Sequence, residues 1–253
     1  MIDIAVEYPF MHCTRKAVGK TPSKWSELSE KQFIGISSII HGKELDYKFL
    51  SLLTGIRKQI LMRLSPYQLM VLSEQIDFIG SAGSSHSDFI IPQFSCGQTM
   101  LLAPKPKMEG ITFGQFIFLD AYFNDWSCLK QESALDKFIA SVYLPIGEQF
   151  NNEMIDTRAI AINQISIELR KAIAFNFSLI IFWLQKAYPL IFPESNEDPT
   201  QEKPAKTNHT SGWLKIFESL VGEDLINRDK YAQLPLHTVL KHMTRKYKEN
   251  ARH

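Results

Sequence analysis

The residues from 156 to 191 constrain the fold of this chain more than any other stretch. Apolar side chains recur along it first on one face of a helix and then, from 172 to 184, on every face, interrupted only by Asn176 and Ser178. Helices that are apolar all round are buried ones. The fully apolar part is shorter than the roughly 20 residues that cross a bilayer, and two basic residues directly precede it. We therefore expect one long core helix, with a membrane-associated segment as the alternative.

Local signals predict where this helix and several others begin and end. A serine or threonine that accepts a hydrogen bond from the backbone three residues on, with a glutamine reaching back, forms a capping box, and proline suits the first helical position. Proline further along ends a helix because it lacks the backbone donor. The predicted starts are Ser29 with Gln32, Ser65 before Pro66, Thr112 with Gln115, Ser133, and Asp156 with Thr157 for the core helix; the predicted ends are His41-Gly42, Thr54-Gly55 and, for the core helix, Pro189 and Pro193.

Two regions have the character of strands. Ile2, Ile4 and Val6 alternate along the chain, which predicts a short strand or extended arm, followed by irregular chain as far as residue 24. Four basic residues and no acid lie between 15 and 24, a composition typical of a solvated loop; contact with nucleic acid or an acidic partner is the alternative. Residues 88–106 are expected to form a hairpin.

Residues 193–212 are the clearest linker in the chain, because they contain no large apolar residue and are rich in proline and charged residues. We therefore divide the chain into a helical body (1–192) with a short hairpin near 88–106, a flexible linker (193–212) and a C-terminal helical segment (213–253). The predicted fold class is mainly α, a multi-helix bundle around the long buried helix, with a small β-hairpin and a tethered C-terminal pair of helices.

The C-terminal segment carries two candidate partner-binding surfaces. Its first helix is amphipathic and ends at Gly222, and its last helix carries five basic residues against one acid, Glu249. A module beyond a flexible linker can reach another chain. The alternatives are that the first helix folds back onto its own body, that the cations merely suit a helix C-terminus, or that they contact a phosphate backbone. The candidate residues are Trp213, Ile216, Phe217, Leu220, Lys241, Arg245, Lys246 and Lys248.

No pattern in the sequence predicts a catalytic, cofactor-binding or metal-binding residue, so we expect a protein that is not an enzyme and needs no cofactor. The seven histidines do not group with thiols or carboxylates at metal-ligand spacing, and His12-Cys13 has no third member in view. The three cysteines, Cys13, Cys96 and Cys128, are widely separated, which predicts buried, reduced thiols in an intracellular protein without a signal peptide. The formal charge of +1 argues against global attraction to nucleic acid or a membrane surface.

Several short motifs follow one another in a recognisable order. They are WSELSEKQF at 25–33, LLTG at 52–55, the IPQF and LLAPKP runs of the hairpin, ITFGQFIFLDAYF, LDKFIASVYLP and the C-terminal GWLKIFESLVGEDLINRDKYAQLPLHTVLKHMTRK. Together they resemble uncharacterised prophage proteins of gut Bacteroides-type bacteria, although Leu144 stands where the more usual pattern has arginine. The C-terminal run is similar to proteins found near phage tail genes and sometimes labelled tail assembly chaperones. The resemblance covers most of the chain and carries over no catalytic residue.

This resemblance implies a non-enzymatic phage or prophage protein that acts in virion tail morphogenesis. Such a protein holds helical segments of another phage protein, for example the tail tape-measure protein, and helix-in-groove packing suits that task. The alternatives are a structural neck or tail connector that assembles as a homo-oligomeric ring, and a small DNA-associated protein that uses the basic C-terminal helix. The expected location is the cytoplasm of a bacterial host, or the virion, away from membranes.

Overall fold

A computed structural model describes residues 1–39, 47–79, 85–192 and 210–250 of the chain. The fold is mainly helical, as the sequence predicts, with one two-stranded and one three-stranded sheet. The chain divides into two compact units, Met1–His86 and Ser87–His253. The helix end predicted at 41–42, the first residues of the predicted 45–53 helix and residues 193–209 of the predicted 193–212 linker lie outside the described residues. The last three residues of that predicted linker belong instead to the helix that begins at Thr210.

The elements are named here in chain order. The strands are β1 (Ile2–Phe10), β2 (Cys13–Thr21), β3 (Gln93–Cys96), β4 (Thr99–Leu102) and β5 (Leu144–Pro145). The helices are α1 (Glu30–Ile39), α2 (Tyr47–Thr54), α3 (Lys58–Leu61), α4 (Pro66–Glu74), α5 (Phe113–Ser127), α6 (Glu132–Val142), α7 (Ile155–Ile162), α8 (Ile167–Ala187), α9 (Thr210–Val221), α10 (Arg228–Ala232) and α11 (Leu236–Asn250).

The first unit begins with an antiparallel ribbon, in which β1 pairs with β2 along its whole length. The predicted strand at the N-terminus is confirmed, but the irregular chain and solvated loop predicted after it are wrong, because most of that stretch is β2. The pattern hides β2 because its outward side chains face solvent and need not be apolar. Gly19 lets the ribbon approach α2, since a Cβ there would lie 2.2 Å from the carbonyl oxygen of Thr54.

Two helices of the first unit begin, and one ends, where the sequence predicts. Ser29 accepts a hydrogen bond from the backbone of Gln32, whose side chain accepts one from the backbone of Ser29, at 3.3 and 3.0 Å. Ser65 forms the same capping box at α4 with Pro66 at the first helical position. Gly55 ends α2 in the left-handed conformation, with φ of +71°. These three local predictions are confirmed.

The second unit contains the predicted hairpin, with β3 and β4 joined through Gly97 in the left-handed region. The structure adds β5, which pairs with the outer side of β4 through Leu144 and Pro145. A two-residue strand has no alternation that a sequence pattern can detect. Tyr143, fully buried beside β5, donates a hydrogen bond of 2.6 Å to the carbonyl oxygen of Ile91 and so fixes the sheet to the preceding chain.

The predicted long helix is wrong as a single element, because the chain leaves helical geometry between α7 and α8. Ser166 caps α8 by accepting from the backbone of Leu169 at 3.2 Å, and Asp156 and Thr157 lie inside the first turn of α7, where they cap nothing. Asn163, just past α7, donates instead to the carboxylate of Asp136 on α6 at 2.7 Å. The end predicted from Pro189 is confirmed, since α8 stops at residue 187.

The apolar part of α8 is a core helix, although not on every face. One side of the helix is completely buried; it carries Ala172, Ile173, Phe177, Ile180 and Leu184. Phe182 lies on another side, and its side chain is 46% exposed. On the buried side, the ring of Phe177 packs against Phe123 of α5 and Phe138 of α6. Among the described helices, none is long and apolar enough to cross a membrane.

In the second unit one predicted helix start is confirmed without its full capping box, and another is wrong. Thr112 does cap α5, accepting from the backbone of Gln115 at 3.1 Å, but the Gln115 side chain does not reach back. It donates instead to the carbonyl oxygen of Ser141, at 2.8 Å, and ties α5 to the end of α6. Ser133 does not cap α6, because the helix begins one residue earlier and Gln131 occupies the capping position.

Candidate partner-binding groove

The α9 helix folds back onto α5 through its aromatic face. The ring of Trp213 lies 5.2 Å from that of Phe116 and 6.0 Å from that of Phe113, in edge-to-face geometry, and 5.3 Å from that of Phe192. Phe217 is 5% exposed and also packs on Phe113. Such edge-to-face pairs are favourable arrangements of aromatic rings. Two of the candidate partner residues are therefore occupied within their own unit.

The start of α11 is joined to the start of α5 by backbone hydrogen bonds. The amide of Phe113 donates to the carbonyl oxygen of Leu234 at 2.8 Å, and the amide of Leu236 donates to that of Ile111 at 3.0 Å. These two bonds form a short antiparallel bridge centred on Thr112 and Pro235. The bridge holds the first turn of α11 beside α5.

A side-chain relay fixes the same end of α11 to α8 and to the chain before α5. His237 Nε2 lies 2.6 Å from the carbonyl oxygen of Lys107, and its Nδ1 lies 2.8 Å from the hydroxyl of Tyr188. A carbonyl oxygen only accepts, so Nε2 donates to it; in the tautomer that carries its proton on Nε2, Nδ1 accepts from the hydroxyl. Burial raises the pKa of Tyr188, which keeps this hydroxyl protonated and able to donate.

With both helices anchored, α9 and α11 enclose a groove of about 420 Å³. Ile216 and Leu220 from α9 and Met243 from α11 supply its apolar floor; the first two are half-buried and the third is buried. Lys215 and Lys246 supply positive charge. The groove is lined by Lys215, Ile216, Ser219, Leu220, Met243, Lys246, Tyr247 and Asn250, a set that includes two lysines and no carboxylate.

The groove brings together one part of each surface that the sequence singles out. Ile216 and Leu220 come from the apolar candidate face and Lys246 from the basic one. The other basic candidates, Lys241, Arg245 and Lys248, are exposed and do not line it. Arg245 lies 3.7 Å from the carboxylate of Glu249 one turn on.

The sequence misses several features of this site. The relay of Tyr188, His237 and Lys107 joins residues far apart in the chain, and no local signal marks it. Lys215 and Tyr247 are not among the sequence candidates, although Tyr247 lies four residues after Met243 and therefore on the same face of α11.

Histidines, cysteines and carboxylates are the side chains that could hold a metal ion in the part of the chain that the structure describes. The described residues contain no group of three or more metal-ligating side chains. The prediction of three buried thiols is wrong for two of them, since Cys13 and Cys128 are exposed and only Cys96 is buried. Burial raises the pKa of the Cys96 thiol. Cys13 donates a hydrogen bond to the carbonyl oxygen of Phe10.

Comparison of the chain with models of known protein families, with curated proteins and with solved structures finds no match.

Proposed function

We propose that this chain is a non-enzymatic phage or prophage protein of tail morphogenesis, and that it holds a helical segment of a tail protein in the groove between α9 and α11. The observation that carries the proposal is the groove itself, which combines an apolar floor with two lysines and no carboxylate. The motif order described above supplies the phage context. The tape-measure protein, rich in helical segments that must be kept apart before assembly, is the proposed tail partner.

The lining of the groove defines the chemistry of the occupant. An amphipathic helix lays its apolar stripe, spaced at i, i+3, i+4 and i+7, into a hydrophobic groove. Met243 suits such a contact because its unbranched, polarisable side chain adapts to different shapes. Lys215 and Lys246 then select a helix with acidic residues beside its stripe, since complementary charges steer association and disfavour wrong partners.

The anchoring of both walls favours binding. The backbone bridge at Thr112 and Pro235 and the relay through His237 hold α11, while Trp213 and Phe217 hold α9. A preformed groove loses little conformational freedom when it binds, so more of the contact energy remains as affinity. The residues that pack inward therefore support the groove rather than form it.

The test is affinity capture of the tagged full-length chain from phage-producing cells, with the tape-measure protein identified by mass spectrometry. Ile216→Glu with Leu220→Glu should abolish its recovery, because two charges replace the apolar floor. Leu214→Glu is the matched control: this residue is already 41% exposed on α9 and does not line the groove. Equal recovery with the groove variant and the control contradicts the proposal.

Mass spectrometry of purified mature particles separates this function from a connector role. A protein that only holds a segment before assembly is absent from finished particles. Stoichiometric presence in particles contradicts the proposal and favours a neck or tail connector.

A further inference from the structure

The tip of the β1–β2 ribbon carries an arginine stacked on an aromatic ring. In the register of the ribbon Arg15 lies opposite Tyr8, and Phe10 lies opposite Cys13. Arg15 and Phe10 are therefore diagonal neighbours on one face, within reach of a long side chain and a ring. The guanidinium carbon of Arg15 lies 4.0 Å from the centroid of the Phe10 ring.

A second arginine reaches the same ring from the connection between α3 and α4. The guanidinium carbon of Arg63 lies 5.4 Å from the Phe10 centroid. Two contacts fix this connection: the capping box at Ser65, and a hydrogen bond of 2.9 Å from the Gln68 side chain to the carbonyl oxygen of Glu7 on β1. The approach of Arg63 to the ribbon therefore follows from how α4 is joined to β1.

The two guanidinium groups are not neutralised by the surrounding protein. Both side chains are exposed, and no carboxylate of the described residues lies within 4.0 Å of either. Neither is recorded as donating a hydrogen bond to another described residue. Two like charges held beside one ring repel each other, and a bound anion relieves that repulsion. The ring contact meanwhile orients both groups before any ligand arrives.

We propose that Arg15 and Arg63 bind the phosphate backbone of duplex DNA at the tip of the ribbon. The planar guanidinium fork matches a phosphate in two parallel hydrogen bonds, which a lysine cannot reproduce. A two-stranded β-ribbon also has the width that the major groove of B-DNA admits. This site is independent of the groove between α9 and α11.

Phosphate contact gives affinity without base recognition. The contact between guanidinium and phosphate groups is electrostatic, so binding weakens steeply as the salt concentration rises. The slope of log Kd against log salt is proportional to the number of phosphates that the protein neutralises. The Phe10 ring is engaged by the two arginines and is not offered to a base. The expected binding is therefore similar for duplexes of different sequence.

The test is fluorescence anisotropy of a labelled duplex DNA titrated with the full-length chain at several salt concentrations. Arg15→Gln with Arg63→Gln should weaken binding and lower the slope of log Kd against log salt by about 2, or about 1 for each phosphate contact. Lys241→Gln with Lys248→Gln removes the same charge from exposed positions of α11 and should leave both quantities near their wild-type values. Arg15→Lys with Arg63→Lys should keep the slope, which depends on charge, and still weaken binding.

Three results overturn the inference: no binding of the duplex by the wild type, unchanged binding by the Arg15 and Arg63 glutamine variant, or loss of binding in the α11 control instead.

Inorganic pyrophosphate serves as a small competitor. Displacement of the duplex by pyrophosphate at millimolar excess supports a phosphate site; a wild type that binds pyrophosphate and no duplex rejects DNA as the ligand. Thermal unfolding followed by circular dichroism checks that each variant is folded.

Discussion

At the scale of single residues, Asn176 shows how a polar side chain serves in the most apolar helix. Asn176 is completely buried. Its side-chain amide donates a hydrogen bond of 2.9 Å to the carbonyl oxygen of Asp88, and its side-chain oxygen accepts one of 2.7 Å from the backbone amide of Ile90. Both of its groups are thus satisfied, as buried polar groups must be. The residue that interrupts the apolar pattern in the sequence is the one that fixes the chain before β3 onto α8.

Asn176→Leu should lower the free energy of unfolding by about 2 kcal/mol, because the replacement leaves the carbonyl of Asp88 and the amide of Ile90, both on half-buried residues, without these partners. Ser178→Ala is the control, since the Ser178 hydroxyl bonds only to its own helix at Phe175 and should cost less than about 1 kcal/mol. Urea unfolding of the two variants measures the difference. Equal losses would show that the tie from α8 to the chain before β3 adds nothing.

The ion pair between Asp136 and Arg170 gives a second test at this scale. Asp136 is buried, lies 2.6 Å from the guanidinium of Arg170 and also accepts from Asn163. The Nε of Arg170 already lacks an acceptor among the described residues. Asp136→Ala should cost about 3 kcal/mol of unfolding free energy, because breaking a buried pair leaves an uncompensated charge.

Asp156→Ala is the matched control for that variant. Asp156 pairs with Lys137 at 2.7 Å on the surface, and this carboxylate raises the pKa of Lys137. Exposed pairs contribute at most about 1 kcal/mol. A control that destabilises as much as Asp136→Ala would contradict the assignment of a buried pair.

At the scale of elements, the approach of the β1–β2 ribbon to α2 depends on Gly19. A Cβ at this position meets the backbone oxygen of Thr54, which cannot move without displacing the end of α2. Gly19→Ala should therefore destabilise the first unit by about 2 kcal/mol, a typical cost of overpacking. Hydrogen exchange, read by mass spectrometry in peptides from β1, β2 and α2, localises the loss.

Gly35→Ala is the corresponding control. Its Cβ meets only the end of the Leu52 side chain, which can change rotamer. Faster exchange in β1 and β2 for Gly19→Ala alone is the expected result. Identical exchange for both variants would mean that the ribbon does not need the close approach.

The sequence predicts elements best where the determining contacts are local. Ser29 and Ser65 form their caps within four residues, so the pattern suffices to place α1 and α4. The break between α7 and α8 combines a local signal that the apolar pattern hides, the Ser166 cap, with a contact from Asn163 to Asp136, 27 residues away. The apolar spacing of Ile162 and Ile165 continues across the break and conceals it.

The candidate groove was predicted only in part, for the same reason. The amphipathic spacing of α9 and α11 identified Ile216, Leu220 and Lys246, because helix faces follow from periodicity. That spacing does not show which apolar residues pack inward, so Trp213 and Phe217 were included although they contact α5. Contacts between the two helices depend on anchors elsewhere in the unit.

At the scale of the whole molecule, α9 and α11 belong to the same compact unit as α5 and α8. Tyr188→Phe removes one hydrogen bond of the relay and keeps the ring beside His237. We expect a loss of about 1 kcal/mol in unfolding free energy, with faster hydrogen exchange in the first turns of α11. Tyr231→Phe, whose hydroxyl makes only a 3.4 Å contact with Asp224, is the control and should change neither.

We propose that the groove between α9 and α11 binds an acidic amphipathic helix. The most direct measurement is fluorescence anisotropy of two designed helical peptides with the same leucine stripe, one flanked by glutamate and the other by lysine. We expect that only the glutamate peptide binds the full-length chain and that Lys215→Gln with Lys246→Gln weakens this binding. Leu220→Glu should abolish it, while Leu214→Glu should not. Equal binding of both peptides, or full binding by Leu220→Glu, would contradict the proposal.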